Sequence, residues 1–287
     1  MRYYHVDVFA SEIFNGNGLT VVFPHRELSA QQMLRIAQDL KQFETAFVFP
    51  EKGGVFPTRI FTVQEELEFA GHPALGIGAI LHHRLRNEQK SAAPTISLAK
   101  RKIELKSEFD GSTYHVIMGQ GQPEFIKSVG SDSFAAICEH LNLQKTDLAS
   151  DYPIEVVSTG LPYLLVPVKS HLENARITSK DFEAFLQSFG AKFVYVFDPS
   201  DLECRTWDNT GTYEDVATGS AAGPLMAYLV KNNFRKQGQI ITIKQGKFLQ
   251  RPSSIKGLLS HEAQPQIYIE GEVVFFAEGE INLYPVP

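Results

Sequence analysis

Ala70-Gly71-His72-Pro73-Ala74 and Thr218-Gly219-Ser220-Ala221-Ala222 stand in matching surroundings, and their correspondence decides how this chain folds. Each follows a short apolar segment, Arg59-Ile60-Phe61 in the first case and Arg205-Thr206-Trp207 in the second. Each precedes small and apolar residues at helical spacing, with Leu75, Ala79 and Leu81 matching Leu225, Leu229 and Val230. His72 and Ser220 are thus equivalent positions. The likeness extends upstream. Ser29 and Gln32 form a capping-box pattern ahead of Met33, Ile36, Ala37 and Leu40, which predicts a helix over residues 30–41 and then a strand at 45–49. Downstream, Ser179 precedes Phe182, Phe185, Leu186 and Phe189 at the same spacing, and an apolar strand follows at 193–197. The chain reads as an internal duplication.

The first half opens with Tyr4, Val6 and Val8 alternating against His5, Asp7 and Phe9, which predicts a half-buried strand. A turn at Phe14-Asn15-Gly16-Asn17-Gly18 leads into a second strand at 19–23. A Gly/Pro-rich stretch, Gly119-Gln120-Gly121-Gln122-Pro123, follows a strand-like segment at 113–118 and divides the chain into domains at 1–122 and 123–287. Residues 133–142 read as a helix. The end is strand-rich, at 266–269, 273–277 and 281–284, and its last strand can pair with either domain.

With 287 residues, 43% of them hydrophobic, the chain can bury two ordinary cores. A net charge of -6 with 21% charged residues excludes the basic excess of a nucleic-acid binder and leaves a small soluble ligand as the expected partner. Residues 1–9 lack a secretory pattern, and no apolar stretch reaches membrane-spanning length, so a cytoplasmic location without membrane contact is expected. The two cysteines, Cys138 and Cys204, are far apart and fit buried apolar positions better than a disulfide or a zinc site.

Chemistry concentrates at the two duplicated loop-to-helix turns. Pro73 suits a helix start, and the glycines Gly71 and Gly219 let backbone approach a ligand. Helix starts offer N–H donors and a partial positive charge, a setting for a carboxylate, and two such starts facing one another across a cleft would hold a small anionic substrate. The simpler reading is a pair of capped helices, with Thr218 or Ser220 as the cap.

Four side chains stand out as proton carriers or their partners: Glu44, His72, Asp215 and Ser220. Glu44 enters an apolar strand, where burial would raise its pKa toward the working pH and make it a general acid and base. Alternatively it caps the strand end or pairs with Lys41. Asp215 and Ser220 can flank one loop, with Glu214 as the solvated neighbour of Asp215. No Gly-x-Ser-x-Gly elbow, phosphate loop or dinucleotide fingerprint is present, so neither nucleotide nor other cofactor is expected. His82 and His83 diverge on a helix and fit solvated or packed imidazoles rather than a metal site.

Taken together, Phe14-Asn15-Gly16-Asn17, Glu44-Thr45-Ala46-Phe47-Val48, Phe69-Ala70-Gly71-His72-Pro73-Ala74-Leu75-Gly76 and the block from Glu214 to Leu225 resemble the PhzF-like family of phenazine biosynthesis. The resemblance runs to Phe276-Ala277-Glu278-Gly279. It implies a diaminopimelate-epimerase-like α+β fold of two pseudo-symmetric domains, each a curved, mostly antiparallel sheet or barrel around a central helix, with the active site between them. It implies an isomerase acting like the trans-2,3-dihydro-3-hydroxyanthranilate enzyme, without metal or organic cofactor, and commonly a homodimer.

Residue by residue, the resemblance makes Glu44 the acid-base group and His72, Asp215 and Ser220 the groups that orient the substrate. Gly71, Gly219, Thr218, Asn17 and Phe43 become substrate-binding positions. The two cysteines of related amino-acid epimerases would fall at Ala70 and Val216, so one-base chemistry by Glu44 fits better than a two-thiol racemase. Gly18 replaces a usual proline, and Phe43 a common serine beside the reacting centre. A non-catalytic small-molecule binder on the same fold is the alternative, and a hydrolase using Ser220 is a further one.

Overall fold

The computed structural model describes residues 1–86, 89–98 and 101–282, so part of the strand expected at 281–284 lies outside the described residues. The chain forms two compact units, one of Met1–Gly119 with Glu270–Pro287 and one of Gln120–Ile269. The first unit thus ends at Gly119 and also takes the C-terminal strand region from Glu270.

In the first unit the elements are β1 (Arg2–Val8), β2 (Asn17–Phe23), α1 (Ala30–Leu40), β3 (Glu44–Val48), β4 (Val55–Phe61), β5 (Glu66–Leu67), α2 (Gly71–Arg86), β6 (Ser91–Ala92), β7 (Thr95–Leu98), β8 (Arg101–Phe109) and β9 (Tyr114–Gly121). The second contains β10 (Glu124–Ser128), α3 (Phe134–His140), β11 (Glu155–Ser158), β12 (Pro162–Pro167), α4 (Phe182–Gln187), β13 (Phe193–Phe197), β14 (Glu203–Arg205), α5 (Gly219–Lys231), β15 (Ile241–Gln245) and β16 (Ser253–Leu259). A long last strand, β17 (Ile267–Glu280), merges two segments that the sequence pattern separates.

The first unit closes into a barrel. β1 pairs with β2, β2 with β3, β3 with β4, β4 with β7, β7 with β8, and β8 with β9. β17 joins β9 to β1 and completes a ring of eight strands. The β2–β3 and β4–β7 pairs are parallel, and the β1–β2, β3–β4, β7–β8, β8–β9 and β1–β17 pairs are antiparallel. The parallel pairs are those whose connections contain α1 and α2, as a crossover requires.

In the second unit the same order of pairings recurs. β11–β12 is antiparallel, β12–β13 parallel across α4, β13–β14 antiparallel, β14–β15 parallel across α5, and β15–β16 antiparallel. β16 then turns back toward β17, with Ser260 N donating to Gln266 O at 2.9 Å. The duplication visible in the sequence is therefore a duplication of topology.

α2 and α5 are the central helices and are apolar on nearly all sides, as helices enclosed by sheet must be. In α2 the closeness of packing fixes Gly76, where an added Cβ would lie 2.5 Å from Leu19 Cδ2. α1 covers the outer face of its sheet, burying Met33, Ile36 and Ala37 with Phe47 and Phe61. The Ser29–Gln32 capping box forms at its start, and Lys41 ends it in the left-handed region (φ 54). In the second unit α3 and α4 contribute Ile137, Cys138, Phe182 and Leu186 to the outer core. Ser179 does not cap α4; its hydroxyl meets His140 Nδ1 at 2.5 Å, and Asp181 precedes the helix. Both cysteines are buried.

Candidate active site

The first unit brings together three of the expected residues. Glu44 is the first residue of β3, and the parallel pairing sets Leu19 of β2 opposite it. Asn17 starts β2, and His72 lies in the first turn of α2, so one end of the barrel gathers all three. All are buried: Asn17 is 2% exposed, His72 5% and Glu44 7%.

His72 Nε2 lies 3.1 Å from Glu44 Oε2, and Asn17 Nδ2 lies 3.5 Å from His72 Nδ1. Distance alone would make the first contact an ion pair. Burial, however, pushes His72 down to about 3, so the imidazole is neutral at physiological pH, and the two atoms are not aligned as a hydrogen bond. A buried carboxyl group therefore stands against an uncharged ring, with Phe43 beside it 40% exposed at the rim. Gly18, where the resemblance leads one to expect proline, faces Gln42: a Cβ there would come 2.9 Å from Gln42 Oε1. Gly71 is buried at the start of α2.

The second unit holds the other group of residues. Asp215 and Thr218 lie on the loop entering α5, with the Thr218 hydroxyl donating to Asp215 Oδ2 at 2.5 Å and Ala217 N donating to Oδ1 at 3.4 Å. Thr218 occupies the N-cap position but makes no side-chain cap, because its hydroxyl is turned to Asp215. Ser220 is not a cap either. Its Oγ lies 2.7 Å from the hydroxyl of Tyr163 on β12.

Burial, reinforced by the Asp215 charge and opposed by the Ser220 hydrogen bond, raises the pKa of the Tyr163 phenol. The phenol keeps its proton, and either hydroxyl of the Tyr163–Ser220 pair can be the donor. A serine with that partner, and without a neighbouring base in the described contacts, is not arranged as a hydrolase nucleophile.

Two glutamines missed by the sequence reading hold this loop. Gln245, at the end of β15 and 1% exposed, uses its whole amide. Its Nε2 donates to Asp215 O at 2.7 Å and Thr218 Oγ1 at 3.0 Å, and its Oε1 accepts from Tyr195 OH at 3.0 Å and Thr218 N at 3.1 Å. Gln120 donates to Gly219 O at 2.7 Å and accepts from Thr159 Oγ1 at 3.1 Å, fixing the first residue of α5. Gln245 was legible in principle: it follows Ile241 and Ile243 on the buried face of an alternating strand, where a polar residue needs partners. Tyr163 gives no such sign within its apolar strand.

Glu214, expected to be solvated, instead forms a two-pronged ion pair with Arg205, at 2.8 and 2.6 Å. Arg205 also reaches Leu172 O and Glu173 O at 2.9 Å each, contacts across the fold that local sequence does not reveal. His82 is a packed imidazole, hydrogen-bonded to Ser107 Oγ and Gln89 O at 2.8 Å each. Among the described residues no group of three or more His, Cys, Asp or Glu side chains could hold a metal ion, and no helix is long and apolar enough to cross a membrane.

These features agree with known proteins. A trans-2,3-dihydro-3-hydroxyanthranilate isomerase from Pseudomonas chlororaphis is 32% identical over 98% of this chain and 99% of its own. A solved structure described as a predicted epimerase from Pseudomonas aeruginosa shares 40% identity over 98% of both chains, with a TM-score of 0.90. A probable proline racemase from Agrobacterium radiobacter, at 11% identity, has the same diaminopimelate-epimerase-like fold with a TM-score of 0.63 over 99% of this chain and 94% of that one. The family described as phenazine biosynthesis-like protein, PhzC-PhzF, matches residues 6–279, and the chain belongs to it.

Proposed function

We propose that this protein is a cofactor-independent isomerase that moves a proton within a small, carboxylate-bearing cyclic substrate carrying an amino or hydroxyl group, with Glu44 as the single acid-base. The observation that supports this most is the pairing of a 7% exposed Glu44 with a neutral, buried His72 at 3.1 Å. A carboxyl group kept from water beside an uncharged ring suits proton transfer to and from carbon better than it suits structural pairing. Glu44 takes a proton from one carbon of the substrate and returns it to another on the same face. The bonding electrons shift through the intervening double bond, so no oxidant, reductant or leaving group is needed.

In this reading Ser220, held by Tyr163, and the Gly219 backbone bind the carboxylate. Asp215, as a hydrogen-bond acceptor backed by Thr218, takes an amino or hydroxyl substituent. Phe43, exposed next to Glu44, limits substrate size. The isomerase names of the relatives support the reaction class. The substrate class is inferred here, as are a homodimeric state and a cytoplasmic location.

The test is solvent deuterium incorporation, followed by NMR, into trans-2,3-dihydro-3-hydroxyanthranilate and a panel of cyclic amino and hydroxy acids. Wild-type protein exchanges at least one of them at carbon, and Glu44→Gln loses about a hundredfold or more in rate while remaining folded. Exchange at an undiminished rate in Glu44→Gln would remove Glu44 from the mechanism. Tight binding of panel members without exchange in the wild type would favour the non-catalytic binder.

A further inference from the structure

We propose that Asn17 is a positioning residue that fixes His72 in the tautomer carrying its proton on Nε2, so that His72 serves as a neutral hydrogen-bond donor and leaves proton transfer to Glu44 alone. The geometry reaches this from both sides of the ring. A neutral imidazole has one N–H and one acceptor nitrogen. On one side Nε2 lies 3.1 Å from Oε2 of Glu44, and a carboxylate oxygen can only accept. In the ionised form that a general base requires, Glu44 would set a negative oxygen against a lone pair on Nε2 at that distance, so the proton belongs on Nε2. On the other side Nδ1 must then accept, and the Asn17 amide presents Nδ2 to it at 3.5 Å.

His72 has little freedom to reverse the arrangement. It is 5% exposed in the first turn of a central helix, with Asn17 2% exposed behind it, so water does not compete for either ring nitrogen. The burial that holds the ring neutral also removes the imidazolium as an alternative. An Nε2–H ring, near Glu44 Oε2 but not aligned to bond it, offers its proton to an acceptor oxygen of a bound molecule. That makes His72 a group that polarises or positions an oxygen, and not a second base. The same position in an Nδ1–H ring would present a lone pair and compete with Glu44 for the migrating proton.

The tautomer itself stands independently of the proposed isomerase activity, whereas its catalytic meaning rests on that reading. NMR of protein labelled with 15N-histidine tests it without any substrate. His72→Gln identifies the His72 resonances by their loss. The expected wild-type spectrum has an unprotonated Nδ1 and a protonated Nε2, unchanged between pH 8 and pH 5. In Asn17→Asp, an isosteric change that replaces the donor with an acceptor, Nδ1 becomes protonated, as the reversed tautomer or as an imidazolium.

A wild-type Nδ1 that carries the proton overturns the proposal, and this result does not depend on any variant folding. An Nδ1 that stays unprotonated in folded Asn17→Asp overturns it as well. If the spectra agree but deuterium exchange ignores Glu44, the tautomer holds and the isomerase reading fails.

Discussion

Replacing Gln245 with methionine removes a fully engaged polar side chain of the second unit while nearly conserving its volume, so the change isolates hydrogen bonding from cavity formation. Gln245 is 1% exposed and uses both amide protons and both acceptor positions. In Gln245→Met the phenol of Tyr195, itself fully buried, and the N–H of Thr218 lose their acceptor. A stranded buried donor costs about 1–3 kcal/mol, so the two together cost roughly 2–6 kcal/mol. Asp215 O and Thr218 Oγ1 each lose a donor, which costs less because a second lone pair can remain engaged.

The single tryptophan, Trp207, lies in this unit and is 5% exposed, so its fluorescence follows unfolding in urea directly. The midpoint falls with little change in slope, and exchange of the Thr218 amide with solvent quickens. A loss of stability below about 1 kcal/mol would refute the reasoning, since it would mean that the loop before α5 finds other partners at no cost.

Acid should weaken the fold through His72. Its folded-state pKa of about 3 lies below the unfolded 6.5, so its contribution is fully present above 6.5 and is lost as pH falls from there toward 3, because the unfolded state takes up the proton first. Between pH 8 and pH 5 this amounts to about 2 kcal/mol, and His72→Gln should flatten that part of the profile measured by circular dichroism in urea. Glu214→Ala leaves Arg205, 8% exposed and stacked 4.9 Å from Trp207 and 4.8 Å from Phe248, without its carboxylate. The expected loss is about 3–5 kcal/mol by Trp207 fluorescence. Gly223→Ala places a Cβ 2.0 Å from Gln120 Oε1, so Gln120 must withdraw from Gly219 O and Thr159. Stability should fall by about 1–3 kcal/mol, with faster amide exchange in the first turn of α5 than elsewhere in that helix.

Local chemistry made much of this fold legible. The capping box at Ser29, the helical spacing of Met33, Ile36 and Ala37, and the small-residue runs after His72 and Ser220 act within a few residues, and the elements they predict are present. The doubled loop-to-helix turn carried the topology, because equivalent crossovers impose equivalent strand pairings. Illegible features depend on partners distant in sequence. Glu214 looked solvated until Arg205 and its two carbonyl partners surrounded it, and Ser220 looked like a helix cap until Tyr163 occupied its hydroxyl. At the candidate site the residue types were readable, but the neutrality of His72 follows from burial, which a linear pattern does not quantify. Asn17, expected to bind substrate, also brings its amide nitrogen to 3.5 Å from His72 Nδ1, a contact that no local pattern announces.

The strand that seals the first barrel, β17, follows almost the whole second unit in the sequence. β1 lies between β2 and β17, with Arg2 opposite Glu280 and Val8 opposite Val273, and Ile281 N donates to Met1 O at 2.8 Å. During synthesis the ribosome therefore releases β1 with one side unoccupied, and that side stays so until the second unit has been made. An unoccupied strand edge recruits other chains, so this stage is the nascent polypeptide's most aggregation-prone moment. Nascent chains stalled before residue 270 should engage holdase chaperones through β1, and release of that grip should coincide with the arrival of residues 273–280.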